Sequence, residues 1–151
     1  MKGPSALAGA LLVLVAGCAR PAPDASPEGA VRVFVEKMES SEGDGRAMKE
    51  AYGLLGPRAR ANLKGRAERA SRGQGRRHEA WEMLAEGRFG LKFRPKAMTS
   101  RVQGDEAWVD VVGEGPEEKA TVHCAREGAS WRVEPDLPEP APKTMRGDGG
   151  L

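Results

Sequence analysis

Near Gly87 the apolar period of this chain changes, and that change bounds the fold. Before it, apolar residues recur every three or four positions: Ala30, Val31, Phe34, Val35 and Met38, then Ala47, Met48, Ala51, Tyr52 and Leu55. That spacing buries one side of a helix. After it, Phe89, Leu91 and Phe93 alternate, as on a strand. Four more short runs follow, over 98–102, 107–112, 120–126 and 130–134. Gly104-Asp105, a loop over 113–118 and Glu127-Gly128-Ala129 separate them. Helices first and hairpins after is the order of an α+β domain. The expectation is N-terminal helices packed on one face of a curved antiparallel sheet of four to five strands.

Local signals place the helices. Ser26 offers an N-cap, Pro27 the first helical position and Glu28 an acid in the first turn. Residues 42–45 stop that helix, and a second short one runs over 46–55. Gly56-Pro57 breaks it and starts a third, expected to reach about residue 70. Residues 71–77 read as a flexible basic loop and 78–86 as one more short helix presenting Trp81, Leu84 and Ala85. In the strands, Val109, Val111, Val122, Cys124, Trp131 and Val133 share the face toward the helices. Trp108, Asp110, Thr121, His123 and Arg132 take the other face. Aromatics are only 5% of the chain, so the core leans on few large side chains. These are Phe34, Tyr52, Trp81, Phe89, Phe93, Trp108 and Trp131.

Charge is unevenly spread. Residues 57–104 hold 13 Lys and Arg against 4 Glu, and residues 105–139 hold 3 against 10 acids. The basic cluster is Arg58, Arg60, Lys64, Arg66, Arg69, Arg72, Arg76 and Arg77, with Glu68 the one acid among them. A solvated helix face has this composition. So does a surface that docks on anionic lipid, lipopolysaccharide phosphate or an acidic protein. No aromatic residue is interleaved, as nucleic-acid binding would favour.

At the N-terminus, Lys2 precedes an uncharged run over 6–15, too short for the roughly 20 residues that span a bilayer. Leu14, Val15, Ala16 and Gly17 then lead to Cys18. A basic start, a short apolar stretch and small residues at a cut make a secretory signal. With cysteine at the cut, this one resembles a bacterial lipoprotein signal. The resemblance implies cleavage before Cys18, a diacylglyceryl thioether on its sulfur and acylation of its new amino group. Cleavage would remove 17 of the 151 residues and leave 134, a one-domain length. Residues 18–25 then form the lipidated cysteine and a Pro-rich extended tether. Ala19 in place of Asp implies sorting to the outer membrane, facing the periplasm. Such a location separates the chain from cytosolic nucleic acid. Cys124 is left as a lone cysteine, expected buried and inert, with a disulfide-linked dimer as the alternative.

Three segments, residues 26–55, 104–112 and 120–138, resemble small lipoproteins of the nuclear-transport-factor-2-like superfamily, the cystatin-like cone. The family includes isomerases, dehydratases and transport proteins, so fold alone assigns no activity. An enzyme of this kind would hold a carboxylate and a tyrosine in the cone, and Tyr52 and Asp110 are the weak candidates. No cofactor and no metal site is expected. Arg146-Gly147-Asp148 spells an adhesion tripeptide within a tail, 138–151, that has no apolar period and reads as disordered. The expectation for function is a lipid-anchored, non-enzymatic binding or accessory module of the envelope. The alternative is a small-molecule carrier or an isomerase- or dehydratase-like enzyme using the cone.

Overall fold

The computed structural model describes residues 21–84 and 90–138. The lipobox, Cys18, Phe89, Arg146-Gly147-Asp148 and all but the first residue of the tail lie outside them. Among the described residues three α-helices pack with a four-stranded antiparallel sheet, an α+β fold. The helices are α1 (Pro27–Glu39), α2 (Gly45–Gly53) and α3 (Pro57–Gln74); the strands are β1 (Ala97–Gln103), β2 (Glu106–Val112), β3 (Lys119–Glu127) and β4 (Ser130–Val133).

α1 begins where its cap dictates. Ser26 Oγ accepts from Gly29 N at 3.1 Å, and Pro27 occupies the first turn. Its stripe of Ala30, Val31, Phe34, Val35 and Met38 is buried throughout. α2 is capped by Asp44, which accepts from Arg46 N at 2.8 Å. It buries Ala47 and Ala51 and packs Met48 and Tyr52 half-buried on the core.

The sheet is a simple meander, β1-β2-β3-β4. Its register pairs Val109 with Val122, Ala107 with Cys124 and Cys124 with Val133, which puts all of them on the helix-facing side. Val109, Val111, Cys124, Trp131 and Val133 are buried there, and Val122 packs partly buried beside them. On the other face Trp108 stands opposite His123 and Asp110 opposite Thr121. Tight turns at Gly104 and Gly128, both near φ +64°, let the hairpins close.

Four local expectations are corrected. α3 runs through Gln74, so residues 71–74 are helical rather than loop. Ser71 Oγ stays within the helix by donating to Ala67 O at 2.7 Å, and the stop comes only at Gly75, which is left-handed at φ 66°. The expected helix over 78–86 is a single 3-10 turn, Ala80–Met83, among the described residues. A reciprocal cap starts it, Glu79 to the Glu82 N–H and Glu82 back to the Glu79 N–H, and Leu84 beyond it is extended at ψ 96°. Residues 90–93 are bends, not strand: Leu91 and Phe93 pack on the core without a partner strand. The expected extended tether does not hold over its last three residues. Pro23–Ala25 forms a 3-10 turn, and Asp24 pairs with Arg132 at 2.8 Å on β4.

Candidate functional site

α3 and the segment after it carry the basic cluster. Gly56, at the N-cap, has no side chain to accept the first helical N–H groups. Glu134, just past β4, takes that role across the fold. Its carboxylate accepts from Arg58 N at 3.0 Å and Ala59 N at 2.9 Å, and the residue is only 3% exposed. A carboxylate suits a helix N-terminus, where unpaired N–H groups and the macrodipole favour negative charge. Gly56 leaves the room: a Cβ there would overlap the carboxylate and stand 2.7 Å from Glu134 Cγ. α3 then buries Ala59, Leu63 and Ala67.

That stripe divides the cations. At 100° per residue, Arg58, Arg66 and Arg69 fall on one side of it and Arg60, Lys64 and Ser71 on the other. Several are engaged, and only some of these by carboxylates. Arg60 pairs with Glu127, which also holds Arg132 at 3.1 Å, and Arg132 in turn holds Asp24. The hydrogen bond from Arg132, with Arg60 beside it, outweighs partial burial and keeps the Glu127 carboxyl below its ordinary value. Arg66 donates to Asn62 Oδ1 and to Pro138 O, both at 2.7 Å. Arg69 has a buried guanidinium nitrogen with no hydrogen-bond partner among the described residues. Arg76 approaches Glu82 at 3.4 Å, and Arg77 approaches Glu79 at 3.5 Å. Among the described residues, Arg58, Lys64 and Arg72 form no ion pair.

Beyond Gln74 the chain folds back at Gly75. His78 N donates to Ser71 Oγ at 2.8 Å, which pins residues 76–80 along the flank of α3. Between the two lies a cleft of about 460 Å³. Lys64, Arg72, Arg77, His78 and Tyr52 line it, with Glu68 and Glu79 also in its wall. The His78 side chain is 8% exposed. Arg76 Nη2 lies 3.1 Å from its Nδ1, and Gln74 Oε1 lies 3.0 Å from its Nε2.

Comparison with protein-family models, curated proteins and solved structures finds no match to this chain.

The pair that a cone enzyme would use does not converge. Tyr52 sits on α2 at the α3 cleft, whereas Asp110 lies on the sheet face turned away from the helices. There Asp110 accepts from Thr121 Oγ1 at 2.7 Å and faces Arg101 at 3.5 Å. A second cavity of about 260 Å³, between α1 and the sheet, is walled by Val31, Phe34, Leu91 and Val122, and neither Tyr52 nor Asp110 lines it. Glu134 touches it, but its carboxylate is engaged by α3.

Cys124 is fully buried, and burial, with the Glu28 and Glu134 charges, pushes its thiol up to about 12. His123 lies on the opposite face, stacked on Trp108 at 5.4 Å, so the two make no common site. Among the described residues no group of three His, Cys, Asp or Glu side chains is placed to hold a metal ion, and no helix is long and apolar enough to cross a membrane. Two residues of this region escape sequence reasoning. Glu134 has a faint signal, a Gly-Pro helix start with no capping side chain of its own. His78 has none, because its place depends on the turn at Gly75.

Proposed function

We propose that this chain is a lipid-anchored protein of the bacterial envelope. Its folded domain is a non-enzymatic binding module that meets an anionic surface through α3. The anchor rests on Leu14, Val15, Ala16, Gly17 and Cys18, and Ala19 directs the protein to the outer membrane, facing the periplasm. The carrying observation is that Arg58, Lys64 and Arg72 form no ion pair among the described residues, although the helix offers Glu68 within a turn of the last two. Cations without carboxylate partners keep their field for a ligand.

Reach supports the same reading. The fold begins at Pro23, five residues from Cys18. Even fully extended, that spacing is at most about 18 Å. An acylated Cys18 therefore holds the start of the fold within about two to three Debye lengths of the lipid surface at physiological salt. Two or more acyl chains make such an anchor stable, where a single chain holds only marginally. Anionic lipid, lipopolysaccharide phosphate and an acidic envelope protein all present the required charge. The carrier or enzyme reading has less support, because its tyrosine and carboxylate lie at separate places.

Fractionation tests the anchor. The wild-type chain should partition with membranes and shrink on processing, and Cys18→Ser should do neither. Vesicle sedimentation tests the surface. The Cys18→Ser chain should bind phosphatidylglycerol vesicles at low salt and release as salt rises. Membrane retention of Cys18→Ser at wild-type level defeats the anchor. Absent or salt-insensitive vesicle binding defeats the docking face.

A further inference from the structure

We infer that the cleft between α3 and the 3-10 turn is a binding site for a small organophosphate, a phosphate group esterified to a compact polar alcohol. This rests on the binding role proposed above and gives that role a defined ligand chemistry.

The cleft is prebuilt. Ser71 Oγ accepts from His78 N and donates to Ala67 O, so the hydroxyl joins the returning chain to the helix. His78 is held at both ring nitrogens, by Arg76 and Gln74. Preorganised walls lower the ordering cost of binding. The volume of about 460 Å³ exceeds what a bare ion fills and suits a phosphate with a short organic group.

Its cations are available. Glu68 stands four residues after Lys64 and four before Arg72, the spacing at which helical ion pairs form. Neither pair closes; Lys64 and Arg72 line the cleft instead. Arg77 comes from the opposite wall. Its approach to Glu79, at 3.5 Å between exposed side chains, is a solvent-screened surface pair, weak enough for a phosphate to displace. Three cations about one cleft match the two charges and three oxygens of a phosphate monoester, which Arg and Lys bind by charge-assisted hydrogen bonds. Glu68 and Glu79 set the limit. They repel a long polyanion and accept hydrogen bonds from the hydroxyl or amino groups of a small alcohol.

The probes are glycerol 3-phosphate, inorganic phosphate and phosphatidylglycerol vesicles, each titrated into the Cys18→Ser chain in detergent-free buffer at constant ionic strength. Glycerol 3-phosphate should bind saturably and more tightly than inorganic phosphate. Lys64→Gln or Arg72→Gln should weaken it by about tenfold or more, the loss of one charge-assisted contact. Arg101→Gln, on β1 and outside the cleft lining, should leave it unchanged. Glycerol 3-phosphate that competes with vesicles identifies a lipid headgroup as the source; binding without competition identifies a free organophosphate. Vesicle binding without glycerol 3-phosphate binding, weakened equally by Lys64→Gln, Arg72→Gln and Arg58→Gln, overturns the cleft and leaves the docking face standing. No binding to any probe overturns both.

Discussion

Gly56→Ala is a near-silent change on paper and should be a severe one in this fold. Gly56 has φ −77° and ψ 171°, a backbone that alanine adopts without strain. The added methyl instead meets the Glu134 side chain and must expel the carboxylate from the α3 N-terminus. That loses two charge-assisted bonds, to Arg58 N and Ala59 N. Losing a helix cap costs about 0.5–2 kcal/mol, and a partly buried charge at the helix end adds up to about 2. The expected loss is about 2–4 kcal/mol, or roughly 8–16 °C in Tm for a domain near this size. Glu134→Ala should cost a similar amount. The decisive variant carries both changes. With the carboxylate gone, alanine at 56 loses some N-cap preference and gains about as much from a stiffer unfolded chain. The double variant should therefore match Glu134→Ala alone within about 0.5 kcal/mol. Urea and thermal unfolding of the Cys18→Ser chain, followed by circular dichroism, measure all four corners. Additive losses would show that the carboxylate does not sit over Gly56 and refute the long-range cap.

Two further outcomes follow from buried and paired groups. Cys124, with its thiol pushed up to about 12, should resist a disulfide reagent in the folded Cys18→Ser chain at neutral pH and react fully in denaturant; rapid native-state labelling would contradict its burial. Glu127 and Glu28 ionise below the reference value of 4.5 when folded. At Glu28, burial opposes ionisation, but hydrogen bonds from Ser100 and the nearby Arg32 outweigh it. Both therefore bind fewer protons folded than unfolded, so their contribution is complete above about pH 4.5 and is lost as pH falls through their folded values. Acid titration of Tm should show this decline, and Glu127→Gln should flatten it; an unchanged slope would remove Glu127 from the account.

The sequence displays what is local. Ser26-Pro27 starts α1 because cap and first turn are adjacent in the chain, and the alternation from Ala107 to Val111 marks β2 because one face is buried. The α+β class follows from these periods alone. What is not legible depends on distant partners. The basic residues of α3 read as one face in sequence, yet Ala59, Leu63 and Ala67 set them on two sides, and Glu127 and Pro138 engage some of them from afar. Leu91 and Phe93 alternate like a strand but find packing without a ladder. Gly73 looks like a loop residue and stays helical, because the left-handed stop falls two residues later at Gly75. The cleft at His78 is assembled by that stop and by Ser71, and no spacing rule encodes it.

Glu134 also ties two distant parts of the chain into one folding event. The carboxylate that completes the start of α3 lies 75 and 76 positions from the N–H groups it accepts from, and Val133 bridges back to Leu55. Neither tie exists while those segments are apart, so the third helix and the closing strand gain their stability together.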